Sequence, residues 1–274
     1  MAAEVPFRLA GGDNPLLLVP CEVNGAGPFE FILDSGATTC LISRELAERL
    51  GVEATGSRVG TGAGGKITLG IGTLRTLSVG AASQSDVRVG ITDELERIGG
   101  FVGAKIFGVV GFNFFRNYRV TVDYPALVVR LSSPGEEGQA RGDSVAFQIA
   151  PTRPLLLLPV SVNGRGPYRF ALDTGSSMCS IAPELARELG MPTTGAEEGG
   201  LGAGGALQVA FTRADSIALG GSIVNGVDLT VPPFFPMLSQ AAGAQLDGAL
   251  GHNFLRNFRV TLDYPESAVR LERI

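Results

Sequence analysis

Tryptophan is absent from this 274-residue chain, histidine occurs once, at position 252, and cysteine occurs three times, at positions 21, 40 and 179. Each scarcity removes a class of chemistry. A Ser–His–Asp or Cys–His mechanism would have to run through His252 alone. A structural zinc site needs about four His, Cys or carboxylate ligands at close spacing. No such cluster stands in the sequence, so no metal ligand and no cofactor is assigned. An odd number of cysteines argues against a disulfide framework. An excess of positive charge is also lacking: 22 Lys and Arg stand against 27 Asp and Glu, a net charge of −5. That leaves no basic footprint for nucleic acid. The apolar runs, such as Leu155–Leu158, are far too short to span a bilayer. Residues 1–10 contain Glu4 and Arg8 and no apolar core, so as written they do not read as a secretory leader. A cytoplasmic location is expected if Met1 is the native start, and a periplasmic or secreted one if a leader was trimmed. With 45% hydrophobic and 18% charged residues, the composition is that of a folded globular protein.

What the chain does contain is a duplication. Residues 15–51 match residues 154–190 at an offset of 139, with 21 identities in 37 positions. Residues 108–131 match 248–271 at an offset of 140, with 15 identities in 24 positions. Two copies of this length are too few and too long for a solenoid. The expected organisation is an N-terminal lobe over 1–131, a polar Gly/Pro linker over 132–143, and a C-terminal lobe over 144–274.

Each copy reads mostly as strand. Leu16–Asn24 and Phe29–Leu33 are apolar runs around the turn signal Asn24-Gly25-Ala26-Gly27, and the second copy repeats them around Asn163-Gly164-Arg165-Gly166. A short helix is expected over Arg44–Leu50, with Ser43 as its N-cap and Gly51 at its end. In the second copy Pro183 falls in the first helical turn and Gly190 closes the helix. Gly-rich hairpins follow, then a brief helix near Asn113–Asn117 or Asn253–Asn257. A final pair of strands flanks Tyr124-Pro125 or Tyr264-Pro265. The fold class expected is all-β and bilobal, with two closed, barrel-like lobes related by a pseudo-twofold axis.

In both copies the second strand runs straight into Asp-Ser/Thr-Gly: Asp34-Ser35-Gly36-Ala37 and Asp173-Thr174-Gly175-Ser176. A strand that ends in Asp sets a carboxylate at the rim of a core, and the glycine two residues on permits a tight turn. One such tripeptide is ordinary turn chemistry. Two at equivalent positions bring two aspartates together if the lobes pack about a twofold axis. Carboxyls that close share one proton. One then acts as base on a water and the other donates to the carbonyl under attack. Amide hydrolysis by this route needs no metal, no histidine and no covalent intermediate.

These loops resemble those of aspartic peptidases of the retroviral and pepsin type. The likeness extends to the segments Val109-Val110-Gly111 and Ala249-Leu250-Gly251, each followed by a short helix, and to a Gly-rich hairpin in each copy. It covers nearly the whole chain. The resemblance implies a bilobal acid-protease fold, with Asp34 and Asp173 catalytic and with the Ser35 and Thr174 hydroxyls cross-linking the loops. Gly36, Ala37, Gly175 and Ser176 support those loops. The hairpin tips Gly62, Ala63, Gly64, Gly65 and Gly202, Ala203, Gly204, Gly205 are the flaps that cover an extended peptide. Both halves of the site stand on one chain, unlike the viral enzymes, and neither flap holds a tyrosine, unlike the pepsin type. A monomer acting on peptide or protein substrates at a pH on the acidic side of neutral is expected. The alternative is a peptide-binding protein that keeps the cleft without turnover. A glycosidase, the other two-carboxylate chemistry, fits poorly, because its carboxyls stand about 5 Å or more apart.

Several residues invite smaller readings. Ser176, where the first copy has Ala37, is expected to donate to an ionised Asp173 and lower its pKa, so that Asp34 holds the shared proton. The flap tips also fit G-x-G-x-x-G, but strand-like Lys66–Leu69 and Ala206–Val209 follow where a dinucleotide site needs a helix. Asp123 and Asp263, each before Tyr-Pro, read as turn-forming. His252, opposite Phe112 in the first copy, reads as a packing or surface residue. Cys40 and Cys179 read as buried free thiols. Arg116, Arg256, Asn117 and Asn257 are expected to hold each lobe by hydrogen bonds. Val231–Met237, with no close match in the first copy, either lines a pocket or fills the second lobe.

Overall fold

The computed structural model describes residues 3–133, 142–195 and 197–274. Most of the expected 132–143 linker, residues 134–141, lies outside the described residues.

Alternating apolar residues build each half into a closed barrel. In the first half the strand order is Arg8–Ala10, Leu16–Val23, Ala26–Leu33, Gly108–Val110, Cys40–Ser43, Ala82–Thr92, Gly65–Val79, Gly56–Gly62. Leu16–Val23 also pairs with Gly65–Val79, which closes a ring of six strands. The second half repeats this order and closes the same way, Leu156–Val162 pairing with Gly205–Leu219. Closure removes the exposed edges within each ring. Phe31 and Phe170, both fully buried, fill the two barrels at equivalent points. Burying a side chain of that size stabilises the fold by roughly 2–3 kcal/mol.

The turns follow local chemistry. Asn24 and Gly25 both take positive φ, 53° and 82°, the twist a two-residue hairpin requires. The Asn24 side chain then accepts the Thr76 N–H at 3.1 Å, and Asn163 accepts that of Ser216 at the same distance. The helix Arg44–Leu50 begins and ends where its caps predict: Ser43 Oγ accepts the Leu46 N–H at 3.1 Å, and Gly51 sits at φ 64°. The later short helices run Phe112–Phe115 and His252–Leu255, slightly ahead of the expected positions. The segment at 231–237 runs from the end of the strand Ser222–Val231 into a helix, Phe235–Ala242. This helix matches Glu94–Val102 of the first half in order and place, an equivalence the divergent residues conceal. It serves both expected purposes: Phe235 is buried in the lobe, and Pro232, Phe234 and Phe235 line the central cleft.

The last strands of the two halves do not stay in their own barrels. They form one six-stranded antiparallel sheet in the order Ala3–Pro6, Val128–Ser132, Arg119–Asp123, Phe258–Asp263, Ala268–Arg273, Asp143–Ala146. At its centre Arg119 faces Asp263, Thr121 faces Thr261, and Asp123 faces Arg259. The threonine hydroxyls meet at 2.9 Å on the pseudo-twofold axis. Ion pairs flank them symmetrically, Arg119 to Asp263 and Arg259 to Asp123, both at 2.7 Å. Asp123 and Asp263 also accept the N–H groups of Ala126 and Glu266 in their turns. Their role is structural, and it includes joining the halves.

Candidate active site

The strand Ala26–Leu33 runs parallel to Gly108–Val110, and Asp34 continues that pairing by donating its N–H to Val110 O at 3.1 Å. Arg165–Leu172 and Gly248–Leu250 carry Asp173 in the same way, through Leu250 O at 3.0 Å. The returning segments pass behind the loops, where Phe112 and His252 donate their N–H groups to Ala37 O and Ser176 O, each at 2.8 Å. Thus the apolar-Gly segments brace the aspartate loops.

The two loops are then locked together. Ser35 N–H donates to Thr174 Oγ1 and Thr174 N–H to Ser35 Oγ, both at 3.0 Å. Each hydroxyl donates in turn to the carbonyl ahead of the opposite aspartate, Ser35 to Leu172 at 2.9 Å and Thr174 to Leu33 at 2.8 Å. Ser35 and Thr174 are buried, so all four bonds are shielded from water. This network brings the Asp34 and Asp173 carboxyls within hydrogen-bonding reach of each other.

The pair is not symmetric. Asp34 Oδ1 accepts two backbone N–H groups, Gly36 at 2.7 Å and Ala37 at 3.0 Å. Asp173 Oδ1 accepts one, Gly175 at 2.9 Å. Burial pushes both carboxyls above the ordinary carboxylate range, and the negative charge of Asp34 pushes Asp173 further. Two N–H donors against one favour the negative charge on Asp34 and the shared proton on Asp173. This reverses the expectation drawn from Ser176. The Ser176 hydroxyl donates instead to Met178 O, two residues on, at 2.8 Å.

Gly36 and Gly175 also have a different reason from the one expected. Neither adopts positive φ. What excludes a side chain at each is the opposite aspartate, close against the α-carbon.

Above the dyad lies a cavity of about 760 Å³. Asp34 and Asp173 line it, with Gly36, Ala37, Gly175 and Ser176 beside them and the flap residues Gly62, Ala63, Gly202 and Ala203 opposite. Gly64, Gly65, Gly204 and Gly205 instead build the contact between the two flap tips. Gly64 N–H donates to Ala203 O at 2.9 Å, and side chains at Gly62, Gly64 or Gly204 would strike the opposing backbone. Both tips are plain hairpins, so no helix N-terminus is available there for a phosphate.

Four residues that brace the candidate site escaped the sequence reading. Asn113 and Asn253 pin the chain that leaves each aspartate loop. Their Oδ1 atoms accept the Cys40 and Cys179 N–H groups at 2.7 and 2.8 Å, and their Nδ2 atoms donate to Arg88 O and Asp228 O, both at 2.8 Å. The repeated Gly-x-Asn-Phe at 111–114 and 251–254 was the available signal. They take over the role expected of Arg116 and Arg256, which lie exposed; Asn257 does tie its helix, by bonds to Asn253 O and Phe254 O. Glu94 accepts the Gly204 N–H at 2.9 Å and so reaches from the first half to the second flap. Arg153 reaches the opposite way, donating to Thr61 O at 2.9 Å. Nothing in the sequence marked either one.

Cys40 and Cys179 are buried free thiols, and burial raises both to about 12. Each Sγ accepts an N–H from the glycine behind the loop, Gly111 at 3.4 Å and Gly251 at 3.3 Å. They are packing groups, inert as nucleophiles at neutral pH. His252 is also buried, edge-on to Tyr124 at 5.2 Å.

A family model described as aspartyl protease matches residues 19–114 and again 158–254, so the duplication seen in the residues is a duplication of that unit. The chain belongs to the aspartyl protease family. No curated protein matches it. Among the described residues no helix is long and apolar enough to cross a membrane.

Proposed function

We propose that the chain is an aspartic endopeptidase in which Asp34 and Asp173 hydrolyse peptide bonds through one activated water, both halves of the site being supplied by a single monomeric chain. The observation that carries this reading is the reciprocal Ser35–Thr174 cross-link, which holds two half-buried carboxyls in mutual hydrogen-bonding reach on the floor of a covered cleft. A glycosidase needs a gap of about 5 Å or more between its carboxyls and is disfavoured by that proximity.

In this mechanism Asp34, stabilised by two N–H donors, is the ionised member. It takes a proton from the water as the water oxygen bonds to the carbonyl carbon. Asp173 gives its proton to the carbonyl oxygen, so a neutral tetrahedral diol forms without a free oxyanion. The C–N bond then breaks as a proton passes from Asp34 to the leaving nitrogen, and the second diol proton returns to the pair. The protonation state that starts the cycle is regained with its products, a carboxylic acid and an amine. Because both carboxyls are pushed upward, the singly protonated form persists above the usual carboxylate range, toward neutral pH.

The flaps supply backbone groups to an extended peptide and exclude water from the reacting atoms. The walls are largely apolar, with Leu41, Ile67, Leu201 and Leu207 among the lining side chains. Apolar side chains beside the scissile bond fit them.

A statine-type inhibitor tests this reading, because its hydroxyl occupies the place of the tetrahedral carbon's hydroxyl. The expected outcome is competitive inhibition of peptide cleavage, with binding weakened at least a hundredfold in Asp34→Asn. Equal binding of the inhibitor and of a matching unmodified peptide, without cleavage, would make the chain a peptide-binding protein.

A further inference from the structure

Arg153 stands one residue ahead of the repeated block, at the position that Asn14 holds in the first half. Its backbone is fixed to the second half. Thr152 donates its N–H to Ala242 O and its hydroxyl to Ala241 O, the latter at 2.7 Å, and Leu155 N–H donates to Arg153 O at 2.7 Å. Its side chain crosses to the first half. One guanidinium nitrogen donates to Thr61 O in the first flap at 2.9 Å, and the other makes a longer contact with Gly36 O in the first aspartate loop at 3.5 Å. The third nitrogen, Nε, is buried with no partner among the described residues. A buried donor left unpaired is costly, and such costs are retained where a group serves the site.

We propose that Arg153 is a positioning residue of the peptidase: it straps the first flap to the first aspartate loop, and it supplies the fixed cation that balances a dyad carrying one negative charge. The proposal rests on the dyad reading above. The charges that face the guanidinium are those of Asp34 and Asp173. Glu94, Arg58 and Arg88 line the same cavity, and Tyr264 lies near Asp34. Burial lowers the arginine's own pKa, while both aspartates hold it up, and a guanidinium stays charged through the working range. A cation near two acids favours their ionised forms and so draws both ionisations of the pair to lower pH. It thereby opposes the upward push of burial. The second flap has no such cation among the described residues; its tip is held by the Glu94 carboxylate. Flap closure and dyad charge are therefore tied together on one side of the cleft only, which breaks the twofold symmetry of the duplicated chain.

The test compares the unaltered chain with Arg153→Met, which removes charge and fork, and Arg153→Lys, which keeps the charge. Two readouts are taken: the pH dependence of kcat/KM for a peptide substrate, and the carboxyl titration of the dyad followed by carbon NMR. Arg153→Met is expected to move both limbs of the profile, and the titration, to higher pH, and to raise KM on the order of tenfold through loss of the flap bond. Arg153→Lys is expected to keep the limbs in place while KM still rises. Limbs and titration unmoved in a folded Arg153→Met would overturn the proposal. Absence of cleavage by the unaltered chain would instead defeat the dyad reading, and the titration would still decide whether Arg153 sets the charge of the pair.

Discussion

Gly36 of the first half lies so close to Asp173 of the second that a Cβ added to it would come within 2.8 Å of the carboxyl carbon. Gly175 stands in the same relation to Asp34, with a carboxylate oxygen at 2.7 Å. The glycine of each loop is thus a clearance for the partner's acid. Alanine at either position has to displace the facing carboxyl from its partner. Gly36→Ala is expected to lower kcat at least a hundredfold while the fold persists, because its φ is compatible with a side chain. Circular dichroism alongside steady-state kinetics checks this; a Gly36→Ala enzyme of undiminished kcat would show that the carboxyls are less tightly juxtaposed than described.

The half-buried Asp34 and Asp173 carry a stability cost that depends on pH. Their folded pKa values lie above the unfolded ones, so the folded state binds more protons once pH exceeds the unfolded carboxylate range. Stability therefore declines as pH rises from that range through the folded values. Asp173→Asn removes the second ionisation and its repulsion. The expected result is a variant without activity but with a higher Tm than the unaltered chain at pH 7, the gap narrowing on acidification toward pH 4. Thermal denaturation across that range measures it.

His252 gives the opposite slope. Burial lowers it to about 4, against an ordinary value near 6.5. The unfolded chain takes up the proton first, so this contribution to stability is complete above about pH 6.5 and is lost as pH falls toward 4. Phe112 occupies the equivalent place in the first half, edge-on to Tyr264 at 5.9 Å, as His252 is to Tyr124. His252→Phe is expected to raise Tm at pH 5 relative to the unaltered chain and to change it little at pH 7.5.

Asp263 is fully buried and its ion pair comes from Arg119 of the other half. Arg119→Met strands that charge and is expected to cost about 3 kcal/mol in denaturant unfolding. Because the pair crosses the shared sheet, the loss should also reduce cleavage, by loosening the two loops relative to one another.

Local features were legible in the residues. The Asp-Ser/Thr-Gly loops, the Asn-Gly turns, the Ser43 cap and the buried thiols are each decided within a few positions of the chain, and two copies made each signal stronger. Long-range features were not. Nothing in Arg119–Asp123 or its repeat distinguishes a strand that returns to its own barrel from one that pairs across the axis, since both need the same alternation. Arg153 contacts Thr61 and Gly36, 92 and 117 residues away, and carries no pattern at all. The Ser176 expectation failed because the hydroxyl is taken up by a local backbone acceptor, Met178 O, a choice set by backbone geometry that the residue types do not reveal.

The most direct measurement is cleavage of a diverse peptide library between about pH 3 and 7 by the unaltered chain, Asp34→Asn and Asp173→Asn in parallel. The account predicts cleavage by the unaltered chain, at sites flanked by apolar residues, and none by either variant. Cleavage that survives both substitutions would contradict it, since among the described residues no second pair of acids lines the cleft to activate the water.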